Sequence, residues 1–199
     1  MHERRRIGVL MFDDVEELDA VGPWEVLSFW SQFYPDDGYD IVTFSREGGQ
    51  VRCAKGLRVV VDHSGATVPR LDVLVYPGGM GTLGHVADPE RLGWVRDQAA
   101  AGTLMTSVCT GSLVFAAAGI LRNRPATTHW FSLEDLGRLD PTIDVRRDQR
   151  FVDAGDVVTA AGVSAGLDMA LHLVARLSSA ERAAQVARGV EYAAWPPGG

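Results

Sequence analysis

The chain has 199 residues, 46% of them hydrophobic and 23% charged, enough apolar material for a genuine core, which excludes disorder and fibrous structure. Nineteen Lys and Arg against 26 Asp and Glu leave a formal charge of −7, so the surface as a whole repels phosphate backbones and no nucleic-acid partner is expected. The longest apolar stretch, Leu113 to Leu121, is too short to cross a bilayer, and no membrane partner is expected either.

In chain order, Arg4-Arg5-Arg6 leads into only six apolar-type residues, Ile7 to Phe12, before Asp13 and Asp14, too few for a secretory leader, so a cytoplasmic protein is expected. Ile7 to Phe12 and Leu71 to Tyr76 are nearly continuous apolar runs of strand length, and Thr103 to Val108 is a more polar one; all three read as central parallel strands. Tyr39 to Ser45 alternates, while Val51 to Ala54 and Leu57 to Val61 flank Lys55-Gly56 as a peripheral hairpin would. Helices are expected over Pro23 to Phe33, Pro89 to Ala101, Gly111 to Ala118, Ser132 to Leu139, Gly166 to Leu177 and Ser178 to Val190. Pro89 suits a first helical turn, Ser178 with Glu181 forms a capping-box pattern, and Ser132 with Asp135 a weaker one. Strands alternating with helices mark an α/β protein. With no internal repeat and no linker before Pro196-Pro197-Gly198-Gly199, which looks like a frayed tail, residues 1–199 are expected to form one domain.

Three glycine-rich segments bear on chemistry. Gly79-Met80-Gly81-Thr82-Leu83-Gly84 matches a dinucleotide fingerprint, but His85 to Pro89 follow where a helix should open, and the residue before a proline avoids helical geometry; a loop is the better reading. Gly162-Val163-Ser164-Ala165-Gly166, between the expected strand Val157 to Ala160 and a helix, matches a serine nucleophile elbow. Only Asp168 and His172 follow it, on the same helix, so a close-packed turn of small residues is expected.

Ser107-Val108-Cys109-Thr110-Gly111 is different. It sets a thiol where a strand passes into a helix, and a sharp turn there would lift the sulfur out of the sheet while the helix N-terminus favours thiolate. Cys109 is therefore expected to be exposed and activated. Cys53, in the hairpin with no cationic neighbour, is expected to be a buried, inert thiol, and a disulfide between the two is not expected.

Five segments, in order, resemble the ThiJ/PfpI superfamily with the class I glutamine amidotransferase-like fold, and within it the isonitrile hydratases. They are IGVLMFDDVEELDAVGPWEVL (Ile7 to Leu27), VYPGGMGT (Val75 to Thr82), SVCTGSLVFAAAGIL (Ser107 to Leu121), ATTHW (Ala126 to Trp130) and TAAGVSAGLDMAL (Thr159 to Leu171). The resemblance implies a flavodoxin-like three-layer sandwich with a mainly parallel sheet, a homodimer, and a cofactor-independent hydratase converting isonitriles to N-substituted formamides. It makes Cys109 the nucleophile, Asp19 the acid/base and Thr110 a hydrogen-bonding neighbour. Gly78 and Gly79 would contact substrate, the Gly79 and Thr110 amides serving as oxyanion donors. Taken alone, Asp19 would be an N-cap or first-turn acid; placed beside the cysteine strand, it faces the same cleft.

Departures narrow the chemistry. Thr110 stands where peptidase-like members carry histidine, and His172-Leu173-Val174 lacks the late His-x-Glu of amidotransferases. Ser107 replaces the glycine of the amidotransferase elbow. His129 is expected behind the site, beside Trp130 and Phe131, as a packing residue. The remaining histidines form no ligand-spaced cluster, so no metal is expected. Trp24 and Trp30 suit core packing at least as well as a pocket. A glyoxalase or deglycase-like reaction on aldehydes, a non-catalytic ligand sensor, and a redox sensor stay open as alternatives.

Overall fold

A computed structural model describes residues 4–193, so His2 and the tail from Pro196 lie outside the described residues. The strands are β1 (Arg5–Leu10), β2 (Tyr39–Ser45), β3 (Gln50–Arg52), β4 (Arg58–Val60), β5 (His63–Ser64), β6 (Val73–Tyr76), β7 (Leu104–Val108), β8 (Pro125–Ala126), β9 (Asp144–Val145), β10 (Phe151–Asp153) and β11 (Val157–Ala160). The helices are α1 (Glu17–Phe33), α2 (Thr82–His85), α3 (Pro89–Ala100), α4 (Gly111–Ala117), α5 (Leu133–Leu139), α6 (Ala165–Leu177) and α7 (Ala180–Gly189).

Seven strands form one sheet in the order β10-β11-β7-β6-β1-β2-β5, parallel throughout except for β10 at its edge. The apolar runs lie at its centre because both faces are covered: every residue of β6 is buried, as are Ile7 and Val9 of β1. The polar residues near β7 are satisfied across the sheet, Thr106 donating to the Leu74 carbonyl at 2.8 Å and Thr103 to that of Leu71 at 2.9 Å. Helices α1, α6 and α7 pack together, and α2, α3 and α5 pack on α4, enclosing the sheet in the expected sandwich. The hairpin β3–β4 stands apart from the main sheet.

From β1 the chain steps outward through β2 to β5; from β6 it steps the other way through β7 to β11. The carboxyl ends of β1 and β6 therefore flank the crevice where the winding reverses, the place in such sheets where ligands gather.

Several boundaries differ from expectation. The first helix starts at Glu17, not Pro23, so Asp19 is in its first turn and Pro23 is interior. Having no N–H, Pro23 cannot bond the Asp19 carbonyl four residues earlier, and the packed neighbours of α1 carry the helix through that gap. The last helix is capped by Ser179, whose hydroxyl accepts from the Arg182 amide at 3.1 Å; Ser178 instead ends α6 and donates to Asp37. Ser132 makes no side-chain cap, because a short 3₁₀ turn (Trp130–Ser132) already feeds α5. Pro89 opens α3 as expected, behind an Asp88 cap. No described helix is long and apolar enough to span a membrane.

Candidate active site

Cys109 follows β7 directly, with φ at +57°, a left-handed conformation that a non-glycine residue adopts only when its surroundings impose it. They do so here. The Cys109 amide donates to the Ala160 and Ala161 carbonyls at 3.1 and 2.9 Å, and its own carbonyl accepts from the Ser112 and Thr128 hydroxyls. Ser107, buried in place of the expected glycine, is compatible with this elbow.

Across the crevice, the first turn of α1 delivers Asp19, which is fully buried. Its Oδ2 accepts from the Gly78 amide at 3.0 Å, while Oδ1 is buried and meets no donor at full hydrogen-bond geometry. Burial pushes the Asp19 pKa up to about 7, and the Glu16 charge adds to this. The Cys109 thiol and the Gly78 and Val163 amides favour its ionised form. Asp19 and Cys109 are thus brought together as expected.

The state of the sulfur is not as expected. Cys109 is only 7% exposed, and burial together with the Asp19 charge pushes its pKa up to about 12, against the Thr110 and Val163 amides that favour thiolate. At rest Cys109 is a buried thiol and not an exposed thiolate, because dehydration and a neighbouring carboxylate outweigh the amides of a seven-residue helix. One proton is then shared by the pair, and moving it to Asp19 removes the repulsion that holds it on sulfur.

The glycine turn after β6 is also occupied. Gly78 donates to Asp19, and Gly79 donates to Thr110 Oγ1 at 3.0 Å. Both amides are spent within the chain, so the Gly79 amide is not the free oxyanion donor expected of it. What the turn provides is close approach: a Cβ on Gly78 would stand 2.6 Å from the Thr110 amide nitrogen, and one on Gly79, at φ +122°, would stand 2.4 Å from that of Glu16. Of the fingerprint-like glycines, Gly79 and Gly81 are closed against the chain's own backbone while Gly84 faces open space, and a short helix, α2, opens at Thr82 inside the segment read as a loop. The amides that favour thiolate at Cys109 are those of Thr110 and Val163.

Val163 was not expected in the site. It begins the turn from β11 to α6 with φ at +50°, alongside the cysteine elbow. The turn is close-packed as the sequence implies: a Cβ on Gly162 would collide with the His129 ring at 2.1 Å. His129 is half-buried there, its Nδ1 accepting from the Phe131 amide. Trp130 and Phe131, beyond it, are 74% and 73% exposed. Thr82 is a further unforeseen member, its hydroxyl donating to the Gly79 carbonyl at 2.7 Å and lying 2.9 Å from Thr110 Oγ1. Cys53 is buried with its pKa raised by burial and by the charges of Glu17 and Asp13, an inert thiol as expected. Trp30 is core, its indole N–H bonded to Asp37, whereas Trp24 lies in a surface groove. Among the described residues no group of His, Cys, Asp and Glu could hold a metal ion.

Known proteins share this arrangement of the chain. An isonitrile hydratase from Pseudomonas putida is 38% identical over 192 residues, covering 96% of this chain and 80% of that protein. The crystal structure of a ThiJ/PfpI family protein from Pseudomonas syringae superposes with a TM-score of 0.85 at 33% identity, over 98% of this chain and 77% of that one. The transcriptional regulator GbdR of Pseudomonas aeruginosa is 28% identical over 90% of this chain, which spans 48% of the regulator's length. The model of the DJ-1/PfpI family matches residues 5–176, and the chain belongs to that family.

Proposed function

We propose that the protein is a cofactor-independent isonitrile hydratase with Cys109 as nucleophile and Asp19 as acid and base. The observation that carries this reading is the buried thiol–carboxyl pair of Cys109 and Asp19, with the Thr110 and Val163 amides favouring thiolate. An isonitrile carbon must gain both a proton and a nucleophile, and a thiol beside a carboxyl that titrates near neutrality offers both without separating charge in a dry site.

The steps balance with one water. Asp19 takes the thiol proton and gives it to the terminal isonitrile carbon as the sulfur bonds to that carbon, forming a thioimidate, R–N=CH–S–Cys109. Water then adds to the carbon, losing a proton to Asp19, and the nitrogen receives one. The resulting hydroxyl loses its proton through Asp19 as the C–S bond breaks, which releases R–NH–CHO and restores the thiol. Negative charge on sulfur at either end of the sequence is met by the Thr110 and Val163 amides. Thr110 acts through its position, its hydroxyl locking the Gly79 turn against the elbow.

Purified protein incubated with an aryl isonitrile is expected to yield the formamide. Cys109→Ala should abolish turnover, and Asp19→Asn should slow it by about 10²–10⁴-fold, the usual span of general acid–base catalysis. No product from the wild type, or full activity without the thiol, would overturn the reading. Methylglyoxal consumption by the same samples tests the aldehyde alternative.

A further inference from the structure

A second cavity, about 230 Å³, opens where the ends of β1 and β2 meet the segment after β5 and the start of α3. It shares no lining residue with the Cys109 site. Leu10, Phe44 and Trp94 make apolar walls, Phe44 and Trp94 having ring centroids 6.0 Å apart; Gly65 and Ala66 form an exposed rim. The charged lining is Arg46, Glu90 and Arg91.

The two arginines differ. Arg46 is fully engaged, pairing with Glu90, Asp88 and Glu47. Arg91 forms no ion pair among the described residues, and its Nε is buried without a hydrogen-bond partner. The Asp88 carboxylate feels the Arg91 charge but makes no ion pair with it. Asp88 spends Oδ1 on the Glu90 and Arg91 amides and Oδ2 on Arg46. Tyr76, next to Arg91, has its pKa raised by burial and stays a neutral phenol hydrogen-bonded to His85. His85 is held neutral, its pKa lowered to about 4 by burial and by Arg91. A partly buried guanidinium without a counter-ion is costly unless something fills the vacancy. Guanidinium geometry suits carboxylate best.

We propose that this cavity is a binding site for a small carboxylic acid, its carboxylate on Arg91 and a short apolar body against Leu10, Phe44 and Trp94. The volume lies below the roughly 300–1,000 Å³ usual for drug-sized ligands, so the ligand is limited to a single ring or a short chain.

Benzoate and hexanoate titrated into the full chain, followed by calorimetry, test this directly, with benzamide as the uncharged match for benzoate. Saturable binding of at least one acid is expected, with benzamide and the Arg91→Met variant each weaker by about tenfold or more. Ala66→Trp, at the exposed rim, should block entry without touching the cation, and Cys109→Ala should leave binding unchanged. Absence of saturable binding by both acids overturns the proposal. So does undiminished binding by a cooperatively folded Arg91→Met, or loss of binding in Cys109→Ala, which would move the ligand to the other crevice.

Discussion

The Cys109 thiol favours ionisation of the Asp19 carboxyl, while the Asp19 charge keeps the Cys109 thiol protonated. The relationship is therefore asymmetric in what its removal does. Asp19→Asn takes away the charge that raises the thiol pKa but leaves the burial, so the thiol should titrate below its present value of about 12. Alkylation and mild peroxide, which both consume thiolate, should modify Cys109 faster in the variant than in the wild type even as hydration is lost. Following the mass of the intact chain with time checks this. A wild-type sulfur that oxidises as fast as the variant's would mean that the carboxylate does not restrain it.

The same pair predicts how stability responds to pH. Asp19 carries an ordinary pKa of 3.8 when unfolded and one of about 7 when folded, so the folded chain holds a proton that the unfolded chain gives up. Stability from the neutral buried acid is complete below about pH 4 and is lost as pH rises through 7, by roughly 4 kcal/mol in total. Asparagine stays neutral throughout and can still accept from Gly78. Urea unfolding of Asp19→Asn and wild type should give similar stabilities at pH 4 and a more stable variant at pH 8. Parallel profiles would show that the carboxyl is not held protonated by the fold.

Much of this was legible in the residues. The apolar runs at Ile7 and Leu71 are central strands because both faces of a parallel sheet are covered, and Ser-Val-Cys-Thr-Gly between a strand and a helix does form an elbow. The contribution of Val163 was less visible, since what it offers is a backbone amide, which every residue but proline possesses. Its position in a small-residue turn after β11 was the available clue, and the register placing Ala160 beside Val108 gives the turn its meaning. The protonation state of Cys109 could not be read locally. It depends on Asp19 and on dehydration, both supplied by chain distant in sequence. The cavity around Arg91 was equally hidden, because a lone arginine shows its lack of a partner only when its neighbours are in place.

Thr110 Oγ1 is the joint between the glycine turn and the elbow, accepting from the Gly79 amide and lying 2.9 Å from the Thr82 hydroxyl. Thr110→Val keeps the shape and removes the acceptor, leaving the Gly79 amide to find water or go unpaired while the Thr82 hydroxyl keeps the Gly79 carbonyl, at a cost of about 1–3 kcal/mol. Thr110→Ser should recover most of that stability. If the joint also holds Gly78 against Asp19, the valine variant should lose turnover beyond what its thermal stability explains, and serine should restore it. A valine variant with wild-type stability and turnover would reduce Thr110 to a bystander.

Gly162 and His129 offer the cleanest test of the unforeseen side of the site. A methyl on Gly162 would enter the His129 ring, which stands on the segment whose Thr128 hydroxyl supports the Cys109 carbonyl at 2.8 Å. Gly162→Ala must therefore push the ring away or shift the turn that presents the Val163 amide, and overpacking of this kind costs about 1–3 kcal/mol. His129→Ala opens the space by itself and should be mild, since the ring's hydrogen bond to the Phe131 amide is a long 3.4 Å and its other aromatic neighbour, Trp130, is itself exposed. The double variant should regain most of what Gly162→Ala loses, a coupling readable from denaturant midpoints. Activity separates the two routes of relaxation. If the ring yields, turnover survives in Gly162→Ala; if the turn yields, turnover falls with stability and returns in the double variant. Strictly additive losses would mean that the two residues do not press on one another in solution, and that the packing which sets the Val163 amide against the sulfur lies elsewhere.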